Sequence, residues 1–317
     1  NYLLKKDINK DNYLWFDLDS NLLEQYINKK DNPTDCRIKL FELSLTNKYD
    51  SDLRRRIPID VETDIDFFEG IINFLIETDK VNEYKYHCNN FEFVKKLPNL
   101  KHLNSNIINK NIVRINLTPL SNITSIGNFF MFECNNLKNI NLSNLTNLTS
   151  IGNHFMYGCK KLESIDLTNL TNLTSIGERF MFDCIKLESI DLSDLTNLTR
   201  IDHYFMYGCK KLESINLSNL TNLTSIGDRF MYECTNLKSI NLSNLTNLTK
   251  IGNDFMYGCT ELKIIDLSNL TNLTSIGNYF MYGCRNLKSI NLRNLTNLTK
   301  IGDVFMGWCS NLKIIFV

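Results

Sequence analysis

The 317-residue chain has no alanine, few glycines (13), few prolines (4) and no net charge, its 35 basic residues balancing 35 acidic ones. Alanine is the best helix former, whereas Asn, Ser and Thr compete with the helix for backbone hydrogen bonds. An alanine-free chain in which asparagine is about 14% of residues is therefore not expected to be all-helical. Zero net charge removes the phosphate-neutralising attraction of a nucleic-acid binder and the polybasic patch of a membrane anchor. The longest apolar run, Ile71 to Ile76, is broken by Asn73 and is far shorter than the ~20 residues of a spanning helix. No membrane span is expected. The chain starts at Asn1 rather than Met, which is compatible with a removed signal peptide or a longer precursor. What is present, 43% hydrophobic residues, suffices for a substantial core, and the length suggests about two domains.

The dominant feature is an internal repeat. Cys134, Cys159, Cys184, Cys209, Cys234, Cys259, Cys284 and Cys309 recur every 25 residues. A phenylalanine stands four residues before each, from Phe130 to Phe305, and a methionine follows each of those phenylalanines. Such a period is the mark of a solenoid. Within one repeat, Ile140 and Leu142 alternate with Asn139, Asn141 and Ser143, as in a strand with one buried face. The trio Leu137/Ile140/Leu142 recurs from Ile112/Ile115/Leu117 to Leu312/Ile315/Val317, which predicts nine strands stacked in parallel at ~4.8 Å. Leu142, Leu145, Leu148 and Ile151 then recur every third residue, a poor helical face, and are expected to form an extended arc with a short strand at its end. Gly152 is read as a left-handed or tight turn, its counterpart Asp202 as a tolerated substitute, and Phe155 to Cys159 as one turn of helix or 3₁₀.

These residues resemble leucine-rich repeats, and among them the treponemal, BspA-like subclass. Its pattern places a cysteine before L-x-x-I-x-L and then L-x-x-I-G. The resemblance covers residues 109–317. It departs from the subclass in its longer repeat, in Phe-Met where the family has Ala-Phe, and in Leu145 where leucine-rich repeats commonly have Asn or Cys. It implies an α/β-type solenoid, a leucine-rich-repeat parallel β-stack of about nine turns with little helix; residues 1–108 are read from their own pattern as a small mixed α/β domain preceding it.

That first third lacks the period. Leu22, Leu23, Tyr26 and Ile27 share a helical face, Arg37 to Leu45 reads as a strand, and Phe67, Phe68, Ile71, Ile72 and Leu75 form a helical stripe. Leu97 to Leu103 looks like a degenerate leading repeat. The region is expected to cap the first turn, or to act as an adaptor, since Asp64 to Val81 resembles part of BTB/POZ domains. At the other end Val317 falls inside a strand pattern, which leaves a continuing sequence or an end-to-end or edge contact with a partner.

The cysteine column admits three readings. Parallel Cβ vectors at strand spacing do not suit disulfides, and a line of thiols without C-x-x-C does not suit zinc. Inert packing beside Phe is preferred, which implies reduced thiols and a reducing, cytoplasmic compartment. The recurring Asn-Leu-Thr and Asn-Leu-Ser sequons, such as Asn141, Asn144 and Asn147, are crowded for glycans and are read instead as bonding neighbouring backbone. The columns Lys161/Lys186/Lys211 and Glu163/Glu188/Glu213 are read as balancing one another locally.

Four histidines, His87, His102, His154 and His203, occupy unrelated positions, and no P-loop, HExxH or Ser-His-Asp set is readable. Asp166 and Asp191 share a column that Asn fills elsewhere. No catalytic, cofactor-binding or metal site is expected, and the chain is read as a non-enzymatic protein–protein interaction scaffold. The alternatives are a cell- or virion-surface adhesion protein, or a substrate-recognition subunit of a ubiquitin ligase. Variation between repeats gathers after the glycine and after the cysteine. The edge carrying His154, Arg179, Tyr204, Arg229 and Tyr279 is the expected contact with a protein partner, Tyr and Arg being favoured at interfaces.

Overall fold

The computed structural model describes the backbone of Tyr13–Asp17 (β1), Arg56–Asp60 (β2) and Tyr86–His87 (β3), together with residues 101–103, 112–115 and 117–317. β1 pairs antiparallel with both β2 and β3, in the order β2-β1-β3. The helices expected around residues 22–27 and 67–75 and the strand at 37–45 lie outside the described residues.

From His102 onward the chain is a parallel β-solenoid with a single 3₁₀ segment, Thr118–Leu120, among the described residues. Each 25-residue turn carries two strands. The front strand is Asn139–Asn141 in one turn and Ser164–Asp166 in the next, paired in register so that Ile140 lies beside Ile165. The side strand is Ser150–Ile151, beside Ser125–Ile126 and Ser175–Ile176. Among the described residues there are nine side strands, from His102–Leu103 to Lys300–Ile301, and eight front strands, ending at Ile314–Phe316. The ninth front strand expected at 112–117 is not formed among the residues described there: Ile112 and Ile115 are only partly buried, and no ladder joins them to Asn139–Asn141.

The alternation sets the front strand's faces: Ile140 is buried between exposed Asn139 and Asn141. The every-third-residue leucines are not an extended arc. Leu145 N–H donates to Leu142 O at 2.8 Å and Leu148 N–H to Leu145 O at 2.9 Å, so two linked turns replace it. A three-residue step is the 3₁₀ period, and it turns Leu142, Leu145 and Leu148 all inward, each fully buried.

Phe155 to Cys159 is not helical either. Left-handed residues alternate with right-handed ones: His154 has φ 60°, Met156 φ 53° and Gly158 φ 71°. A left-handed L-residue costs roughly 1–2 kcal/mol. The alternation aims successive N–H groups at opposite neighbours: His154 donates to Glu178 O (2.7 Å), Met156 to Phe130 O (2.8 Å) and Gly158 to Phe182 O (2.7 Å). This strandless wall is thus bonded to the turns above and below, which offsets the strain. Phe155, Met156 and Cys159 all remain inside. The phenylalanines stack from Phe130 to Phe305 with centroids 5.1–5.7 Å apart. From Cys159 to Cys309 each thiol donates to a methionine carbonyl one turn back, as from Cys184 Sγ to Met156 O at 3.3 Å. The thiols are unbridged and, except at Cys309, buried.

Gly152 and its counterparts serve close approach, not left-handed backbone. A Cβ on Gly152 would lie 2.6 Å from the carbonyl carbon of Gly127, because stacked turns touch there backbone to backbone. Asp202 shows the consequence. Side strands Ser175–Ile176 and Arg200–Ile201 fall in separate sheets, and the Asp202 to Ile176 bond is missing among the described residues. In every other turn from Gly152 to Gly302 that bond forms, as in Gly227 N–H to Ile201 O at 2.8 Å.

Asparagine and threonine stitch the outer wall. Asn147, Asn172, Asn197, Asn222, Asn247, Asn272 and Asn297 each donate from Nδ2 to a carbonyl of the preceding turn, at 2.7–3.0 Å. This is the backbone-bonding role read from the sequence.

Candidate functional site

The five residues expected to form a contact edge share one offset in the repeat, two residues after the glycine position. Each occupies a left-handed position, with φ from 54° at Tyr279 to 60° at His154. That backbone points the side chain outward at the start of the strandless wall, one per turn, at rung spacing. Phe129 and Asp254 stand at the same offset and join the column. The sequence reading left them out of the site, although the 25-residue frame alone places them there.

The column is a continuous stack of alternating character. Phe129 stacks on His154 (4.5 Å between centroids) and Arg179 Nη1 lies 3.2 Å from His154 Nε2. The Arg179 guanidinium lies 4.7 Å over the Tyr204 ring and that of Arg229 lies 5.0 Å from its other face. Arg229 also donates to the Tyr204 hydroxyl and, through Nε, to Asp254 at 3.3 Å. Cations over an aromatic face are attracted by the ring quadrupole. His154 to Asp254 are thereby brought into mutual contact. Tyr279 stands apart from this run, packing edge-on against Tyr282.

Three residues on, a second column runs alongside. Phe132, Tyr157, Phe182, Tyr207, Tyr232, Tyr257 and Tyr282 stack at 4.5–5.0 Å. The 25-residue period sets these rings one above another. The two columns touch, as between Tyr204 and Tyr207 (6.2 Å). Rings stacked along the axis cover one another's faces and present edges and hydroxyls outward. These side chains are mostly half-buried, and stacking holds their rotamers.

The titration of these groups follows from burial. Burial, and then the Arg179 charge, lowers the pKa of His154, so the imidazole favours its neutral form. The Tyr232 phenol is pushed up to about 12, first by burial and then by Tyr257 and Tyr207. Burial likewise pushes the Cys209 and Cys259 thiols up to about 12. These groups resist ionisation and are not poised as nucleophiles. Among the described residues no three His, Cys, Asp or Glu side chains converge as a metal site, and no helix is long and apolar enough to cross a membrane.

Comparison with known proteins bears on the fold. The family model for the BspA type leucine rich repeat region matches in six copies, within residues 71–177, 124–247 and 174–313. No curated protein matches the chain. The solved structures similar to it include the leucine rich repeat protein of T. pallidum, at 21% identity over 60% of this chain and 72% of that one, with a TM-score of 0.40. A leucine-rich repeat protein from Bacteroides ovatus matches at 21% identity over 68% and 82%, with a TM-score of 0.21. The functional domain of InlJ from Listeria monocytogenes, described as including a cysteine ladder, matches at 17% identity over 86% and 60%, with a TM-score of 0.38.

Proposed function

As the chain belongs to the BspA-type leucine-rich-repeat family, we propose that it is a non-enzymatic scaffold that binds a protein partner through the edge carrying His154, Arg179, Tyr204, Arg229 and Tyr279. One observation carries this reading. On a solenoid whose outer wall repeats the same Asn and Thr ladders, these positions change from turn to turn, yet four of them are held in one pre-formed cation–aromatic stack. Side chains ordered before binding lose little entropy on contact, and Tyr and Arg contribute heavily to interfaces when desolvated. The alternating guanidinium groups and ring edges suit a partner offering carbonyl or carboxylate acceptors beside apolar side chains.

The unbridged thiols support a reducing, cytoplasmic location as part of the same proposal. The surface-adhesion alternative gains nothing from the Asn147-type sequons, whose amide nitrogens already donate to backbone. The ubiquitin-ligase alternative rests on residues outside the described ones. The last turn exposes Ile301, Trp308 and Ile314 to Val317. These are the groups a further turn would cover, so an end-to-end contact there carries no separate argument.

The test is a triple variant, Arg179→Ala, Arg229→Ala and Tyr279→Ala. Proteins captured by the wild-type chain are compared with those captured by the variant, and the affinity of each captured protein is then measured with purified components. The variant is expected to keep its circular dichroism and to bind at least about tenfold more weakly. An unchanged affinity removes the edge from consideration.

A further inference from the structure

The residue just before each front strand is charged: Lys138 stands before the first, and two blocks follow it. Glu163, Glu188 and Glu213 follow one another on consecutive turns, and Lys238, Lys263, Lys288 and Lys313 occupy the next four. All eight are exposed. The one ion pair within the column is at the junction, where Lys238 Nζ lies 2.7 Å from Glu213. The neighbouring lysines do not neutralise the acidic block by contact: Lys161 Nζ donates to Asn136 Oδ1 at 3.0 Å, and no ion pair joins it to Glu163 among the described residues. The local balance read from the sequence is thus not made by direct pairs.

We propose that this column is a docking surface for a second copy of the chain, placed antiparallel by a two-fold axis lying along the strand direction between the turns of Glu213 and Lys238. The axis reverses the order of the turns, so each column meets its own reversed image, as in an isologous contact. Glu213 then faces Lys238 of the second copy, Glu188 faces Lys263 and Glu163 faces Lys288, while at the outermost turns the like charges Lys138 and Lys313 meet. The adjacent column agrees, since Lys186 faces Glu261 and the remaining partners there are Asn. A parallel arrangement sets Glu against Glu and Lys against Lys, so charge alone selects the antiparallel one. One column further out on either side, like charges meet: Lys160 opposes Arg285, and Asp191 opposes Asp266. The contact is therefore confined to the two central columns and depends on ionic strength. This inference does not rest on the partner-binding edge, which lies on a different wall.

Sedimentation of the full chain at about 20 mM and about 500 mM salt tests it, the higher value screening exposed charges within a few ångströms. Dimer is expected at low salt and monomer at high salt. Reversal in Glu163→Lys/Glu188→Lys, or in Lys263→Glu/Lys288→Glu, is expected to weaken self-association by at least about tenfold. An equimolar mixture of the two variants regains it, because reversed positions 163 and 188 then oppose reversed 288 and 263. Should a reversed variant fail to fold, Glu163→Gln/Glu188→Gln gives the same loss without stacking new like charges. A monomer at all salt concentrations, a dimer indifferent to reversal, or a mixture that stays monomeric overturns the proposal.

Discussion

Replacing Asp202 by glycine is expected to stabilise the protein, against the usual direction of a substitution to glycine. At the equivalent position of other turns a Cβ would lie about 2.5 Å from backbone of the turn before, as at Gly252 beside Gly227. Asp202 carries such a Cβ, and the ladder opens at its turn. Two bonds formed by counterpart turns are missing there among the described residues. Asp202 N–H to Ile176 O and Thr199 N–H to Thr174 O have equivalents in Gly227 to Ile201 (2.8 Å) and Thr224 to Thr199 (2.8 Å). Each is worth about 1 kcal/mol net. Against this, glycine costs about 0.5–1 kcal/mol in backbone entropy. The Asp202–Arg200 ion pair (2.8 Å) is also lost, worth ~0–1 kcal/mol because Arg200 is largely exposed. The net gain is roughly 1 kcal/mol. Native-state amide exchange resolves it turn by turn, and the amides of Thr199 and position 202 should slow by about tenfold. Gly252→Asp is the converse and should open a second gap. If exchange at Thr199 and position 202 is unchanged by Asp202→Gly, the Cβ is not what parts the turns.

Two further outcomes follow from the interior. Phe205→Ala removes a ring stacked between Phe180 (5.1 Å) and Phe230 (5.6 Å) at 1% exposure, and should cost about 3–5 kcal/mol by denaturant unfolding. The same change at half-buried Phe305 should cost less. The folded values of Cys209 and Cys259, at about 12, lie above those of free thiols. Their contribution is complete below about pH 8.5 and is lost as pH rises toward the folded value. Thermal midpoints of a Cys209→Ala/Cys259→Ala variant should therefore fall less between about pH 8.5 and 11 than those of the unmodified chain, and an equal fall refutes the assignment.

The parallel stack, the inward Ile and Leu columns and the buried sulfur on each turn were legible because they depend only on residue type and a 25-residue period. So was the column holding His154, Arg179, Tyr204, Arg229 and Tyr279, since any offset in a strict repeat becomes a column. The conformation between the strands was not. Leu142, Leu145 and Leu148 suggest an arc until their N–H groups are seen to close turns, and Phe155 to Cys159 suggests a helix until Met156 proves left-handed. Local propensity disfavours a left-handed methionine, and only bonds to the turns above and below reverse that preference.

The one-dimensional sequence thus determined which side chains form columns, because translation by one turn maps each residue onto its counterpart. The tertiary structure decided what each column does, because that depends on distances across neighbouring turns. Gly152 is small to let two backbones touch, not to bend its own. Arg179 and Arg229 flank Tyr204 because successive turns alternate cation and ring at stacking distance. Asp202, which reads as a harmless substitution within its own turn, parts the ladder because its Cβ occupies space that belongs to the turn before.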